Sequence, residues 1–159
     1  MTQTMFGYPL DLAEGWEDRS VYTYYLKGTE EPTQSAMPVG VSLAASAQKP
    51  GTTFQSNVVV VREPDKGRDL GNVVDEQRRT LQEKVPTATM MRSGDASLAG
   101  QPAREQEYRI NLDHPLPTLI QLHVSVAREG YFYHFCCTST QQRYDGDKEK
   151  FRAFMTAWG

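Results

Sequence analysis

Four β-branched residues stand together at Val58, Val59, Val60 and Val61, with no polar position among them to turn toward water. Such a run suits a strand packed on both faces, so it belongs inside a sheet. Pro64, Asp65 and Gly67 break the strand, and Leu70, Val73, Val74, Gln77, Leu81 and Val85 then recur at helical spacing, with Asp75, Glu76, Arg78, Arg79 and Glu83 on the other side. A strand, a polar turn and an amphipathic helix thus occupy residues 57–85. Gln77 interrupts the apolar stripe. It reads either as a boundary residue that reaches water or as an amide kept on an apolar surface to hydrogen-bond a partner.

Around this unit the chain is rich in strands. Residues 6–12 are a short strand candidate. Residues 20–26, SVYTYYL, alternate Val21, Thr23 and Tyr25 against Ser20, Tyr22, Tyr24 and Leu26. Residues 27–53 turn to Gly, Pro, Ser, Ala, Thr and Gln, a length and composition that predict a mobile insertion, with one weak apolar patch at 39–43 suited to an edge strand. After the helix, residues 88–92 and 96–98 predict two short strands in a hairpin around Ser93, Gly94 and Asp95. Residues 103–112 set Glu105, Glu107 and Arg109 against Gln106, Tyr108, Ile110 and Leu112, which predicts an outer strand with one wet side. Residues 118–127 place Ile120, Leu122, Val124 and Val126 on one face and Leu119, Gln121, His123 and Ser125 on the other; Arg128, Glu129 and Gly130 then turn into an aromatic strand over 131–140. A last helix, capped by Asp145 or Asp147, carries Lys148, Phe151, Phe154, Met155 and Trp158 as a core-facing stripe. This order predicts an α+β fold, a twisted antiparallel sheet with two main helices.

Composition bounds the function. At 159 residues one domain, 1–159, is long enough for a proper core. A net charge of −3 and the lack of any Lys/Arg run argue against nucleic acid. Neither a leader nor a window of ~20 apolar residues is present, so the expectation is a cytoplasmic protein with no direct membrane insertion. Adjacent Cys136 and Cys137 read as two buried, reduced thiols. No Gly-x-Ser-x-Gly elbow, no Gly-Lys-Ser/Thr phosphate loop and no metal-ligand spacing among His114, His123 and His134 is present, so no enzyme, cofactor or metal is expected. The pairs Glu30–Glu31 and Glu105–Glu107 read as a solvated loop and a solvated strand face.

What remains is a surface. With helices on only one face of the sheet, the other must be solvated, dimerised or reserved for a ligand. Leu119, Gln121, His123 and Ser125 are too polar for a dry core and too apolar for a plain surface, so they suit a semi-polar groove or a face that simply meets water.

Several stretches in fixed order resemble a known family: Pro9-Leu-Asp-Leu with Gly15-Trp16-Glu-Asp18-Arg-Ser20, Asn57-Val-Val-Val-Val-Arg62-Glu, a helix with Gln77-x-x-x-Leu81-x-x-x-Val85-Pro86, Gly100-Gln-Pro102-Ala103 leading into a Glu-Tyr strand, and Thr138-Ser-Thr140 before an aromatic helix. The chain resembles the DcrB-related proteins, and among them the effector-associated (Eag) chaperones of bacterial type VI secretion systems. That resemblance implies a PsbP-like fold and a non-catalytic homodimer. It also implies a partner: the N-terminal transmembrane segments of an effector carrying a PAAR domain and often an Rhs cage, shielded until loading. The family's groove positions fall on Asn57, Val59 and Val61, on Gln77, Leu81 and Val85, and on Gln121, with Val21 and Thr23 nearby. Residues 27–53 exceed the family's usual short connection, and Asn57 and Val61 are bulkier than the serines that line the groove in relatives. Two other readings come from different classes: a DcrB-like or PsbP-like accessory protein of an envelope assembly, and an immunity protein that blocks a toxin.

Overall fold

A computed structural model describes residues 21–29, 31–32, 53–112 and 117–158. The strand candidate at 6–12 and the patch at 39–43 lie outside them. The elements in chain order are β1 (Val21–Tyr25), β2 (Glu31–Pro32), β3 (Thr53–Phe54), β4 (Asn57–Pro64), α1 (Leu70–Lys84), β5 (Ala88–Leu98), β6 (Gln101–Ile110), β7 (Leu119–Arg128), β8 (Tyr131–Thr140) and α2 (Tyr144–Trp158). Six strands form one sheet in the order β1-β4-β8-β7-β6-β5, with each neighbouring pair antiparallel. The valine run lies within that sheet, in β4 between β1 and β8. β2 and β3 make a separate two-stranded ribbon.

Local chemistry sets the turns. Ala99 and Gly100 both have positive φ, as do Glu129 and Gly130, so each hairpin closes through a two-residue turn whose twist matches its strands. Asp65 Oδ1 accepts the Gly67 N–H (3.0 Å) in the turn before α1, and Asp69 caps that helix by accepting from the Asn72 N–H.

The helices do not share a face. Phe151 and Met155 of α2 cluster with Val58, Val60, Ile120, Leu122, Val124, Val126 and Phe135. Leu81 and Val85 cluster with Phe54, Ile110 and Leu119 on the opposite side. Residues 119 and 120 point to opposite sides of a pleated strand, so each side of the sheet has its own helix. This corrects the expectation of helices on one face only.

Other expectations are also revised. Residues 88–98 form one continuous edge strand with a register shift between Met90 and Arg92, not two strands around Ser93-Gly94-Asp95; the chain reverses at Ala99-Gly100 instead. β6 is therefore an inner strand, between β5 and β7. Its acids are not a wet face. Glu107 is buried and accepts from Tyr144 Oη (2.5 Å) and Lys148 Nζ (3.0 Å), while Glu105 accepts from Arg92 (2.5 Å) and Arg152 (2.9 Å). A sequence shows the alternation but not the α2 cations that meet it. Asp147 is no cap either: it lies within α2, buried, accepting from Ser56 Oγ (2.6 Å) and Ser139 Oγ (2.7 Å). Cys137 is buried and Cys136 only partly so; both are free thiols.

The start of the segment 27–53 meets the residues just after β1 and just before β4 through Thr29. Thr29 is buried; its Oγ1 donates to the Leu26 carbonyl (2.7 Å) and accepts the Ser56 N–H (3.0 Å).

Candidate binding face

Strand register places six of the nine expected site residues on one side of the sheet. Val21 and Thr23 stand opposite Val61 and Val59; Asn57, Val59 and Val61 stand opposite Thr138, Cys136 and His134; Gln121 stands opposite Thr138 and Tyr108. This is the α1 side. The remaining three come from α1 and its end: Leu81 and Val85 pack at Ile110 and Leu119, and Gln77 is half-buried one turn before Leu81. Because α1 packs mainly on β6 and β7, the β1 and β4 part of this face carries no helix among the described residues.

The nine differ in access. Asn57, Val59, Val85 and Gln121 are buried within the chain. Thr23, Val61, Gln77 and Leu81 are partly exposed, and Val21 is 51 % exposed. The accessible strip is therefore Val21, Thr23 and Val61 on the sheet, with Gln77 and Leu81 on the helix, and the buried four form its support.

A polar chain crosses the same face. Gln121 Nε2 donates to Thr138 Oγ1 (3.3 Å), and its Oε1 meets His123 Nε2 at 2.9 Å. Tyr108 Oη donates to Gln106 Oε1 (2.8 Å), and the Tyr108 ring meets His123 edge-on, 5.1 Å between centroids. Farther along, Ser125 Oγ meets His134 Nδ1 at 2.7 Å, and His134 Nε2 meets Glu63 Oε1 at 3.2 Å. Asn57 donates to the Gln55 carbonyl (2.8 Å), while its buried Oδ1 has no hydrogen-bond partner among the described residues.

Burial, and secondarily the nearby His134, pushes His123 down to about 4, so the ring is neutral at pH 7. Burial pushes the Cys136 thiol up to about 12, which removes thiolate character. The hydrogen bond from His134 holds the Glu63 carboxyl below its usual range against the opposing effect of burial, with Arg68 helping. On the α2 side, burial tends to raise Glu107, but the Tyr144 and Lys148 hydrogen bonds and the Lys148 and Arg92 charges outweigh it and lower the carboxyl.

Ser125, His134 and Glu63 have the order of a nucleophile, a base and an orienting acid. Yet Ser125 is buried in β7 with strands on both sides, so the ladder holds the surrounding backbone N–H groups that an oxyanion would need. Among the described residues no three His, Cys, Asp or Glu side chains are grouped to hold a metal ion. No described helix is long and apolar enough to cross a membrane.

Sequence reasoning singled out Gln121, His123 and Ser125 but missed Glu63, His134 and Thr138 as members of the same face. Parity along β4 carries Val59 and Val61 on to Glu63; the partners on β8 required the pairing register.

Fold and face together define an α+β protein with a semi-polar sheet surface partly covered by a helix. The chain belongs to the DcrB family, whose model matches residues 9–157. PA94 of Pseudomonas aeruginosa, a protein of unknown function, is similar in structure, with a TM-score of 0.66 at 14 % identity over 94 % of this chain and 92 % of that one. The cyanobacterial PsbP (CyanoP) of Synechocystis sp. PCC 6803 gives a TM-score of 0.48 at 16 % identity over 90 % of this chain and 94 % of its own. No curated protein matches the sequence.

Proposed function

We propose that this DcrB-family protein is a non-catalytic cytoplasmic chaperone, working as a homodimer, that binds the N-terminal transmembrane helices of a type VI secretion effector of the PAAR/Rhs type before export. The observation that carries the reading is the combination on one face of accessible apolar side chains at Val21 and Val61 with the polar side chains of Thr23 and Gln77, over a buried support that includes Asn57 and Gln121. An apolar helix in water aggregates, and such a face can replace the packing and hydrogen bonds of a membrane bundle. Leu81, at the α1 edge of the strip, supplies a wall.

Co-expression with an effector's N-terminal region, with and without its apolar segments, followed by size-exclusion chromatography with light scattering, tests the proposal. A complex that requires those segments supports it; one that survives their deletion, or none at all, refutes it. Leu81→Asp, which sets a charge against the bound helix, is expected to reduce capture at least tenfold. Gln77→Ala, at a half-buried site, is expected to weaken capture by a few fold while leaving urea unfolding unchanged.

A further inference from the structure

Glu63 lies two residues beyond Val61 on β4 and points to the same side of the sheet, at the end of the open strip. Its side chain is 23 % exposed. Its two internal contacts fall on one oxygen: His134 Nε2 at 3.2 Å and Arg68 Nη2 at 3.3 Å both meet Oε1. Oε2 has no hydrogen bond among the described residues. Arg68 is committed elsewhere as well, since its Nε and Nη2 donate to the carbonyls of Asp65 (3.2 Å) and Pro64 (3.1 Å) and its guanidinium lies 5.5 Å from the centre of the Phe132 ring. The carboxylate is thus fixed in place with one face still able to accept.

Apolar helices destined for membranes are commonly flanked by Lys or Arg. A helix lying along Val21, Thr23 and Val61 would bring its flank to Glu63. Resting on the binding reading above, we infer that Glu63 receives a Lys or Arg flanking the partner's apolar helix and so fixes the direction in which that helix lies. Arg68 already balances the carboxylate charge, so the recognition acts at short range, as a hydrogen-bonded ion pair rather than a long-range field.

Two pairs of labelled synthetic peptides test this, one pair for each end: a Leu/Ala helix with a single Lys at that end, and the same helix with Gln there. Their binding by the full chain is read by fluorescence anisotropy in one nonionic detergent. Glu63→Gln keeps an acceptor for His134 while removing the charge, and circular dichroism verifies its fold. The expected result is roughly fivefold tighter binding of the Lys peptide, about 1 kcal/mol, for one end only and lost in Glu63→Gln. Equal binding of Lys and Gln peptides, or a preference that survives Glu63→Gln, overturns the assignment while leaving the chaperone reading intact. Failure of every apolar peptide to bind overturns both.

Discussion

At the scale of single residues, the buried polar groups carry sharper predictions than the apolar ones. His123 is held neutral, with its folded pKa near 4 against an ordinary value of 6.5. A lowered histidine value makes protonation favour the unfolded chain, so its stabilising effect is complete above pH 6.5 and is lost as pH falls toward 4. Over that window the chain is expected to lose about 3 kcal/mol, read from urea midpoints. His123→Gln should flatten this part of the profile. Asp147 is the corresponding case on the α2 side, because it ties the helix to Ser56 before β4 and to Ser139 at the end of β8. Asp147→Ala leaves two hydroxyls without their acceptor and is expected to cost roughly 2–4 kcal/mol, with Asp147→Asn costing less. Gln121 belongs with these: its bonds to Thr138 and His123 and its complete burial mean that Gln121→Ala lowers stability as well as any binding.

At the scale of elements, the hairpins show where local sequence suffices. Glu129-Gly130 was legible as a turn because a glycine sits where a two-residue connection needs positive φ. Gly100 plays the same part after Ala99, at φ 77°. Gly100→Ala is expected to destabilise by about 1 kcal/mol through backbone strain alone, since no atom lies within contact distance of an added Cβ. Gly94 misled for the same reason it usually informs: glycine beside Ser and Asp suggests a turn, whereas here it lies in a strand, paired with Glu105. What keeps residues 88–98 extended is pairing with β6, including Asp95 to Arg104 at 2.8 Å and Arg92 to Glu105. The ladder partners are up to 22 residues away, Ala88 standing opposite Ile110, outside a local window.

At the scale of the whole molecule, the proposed homodimer predicts a mass of two 17.9 kDa chains by light scattering of the purified protein. Within one chain, neighbouring residues suffice to make β4 interior, to give α1 and α2 apolar stripes, and to put residues 119, 121, 123 and 125 on one side of β7. Each of these follows from periodicity, which is a property of consecutive residues. Packing between remote elements puts the helices on opposite faces, makes β6 internal, and brings Glu105 and Glu107 to Arg152, Lys148 and Tyr144 instead of water. It also decides which of the nine candidate residues are open and which are support, burying Asn57 and Gln121 while leaving Val21 and Val61 accessible. The physical reason is that alternation fixes a side chain's direction, whereas its environment is supplied by strands and helices remote in sequence, and a one-dimensional pattern carries no record of which of them arrives.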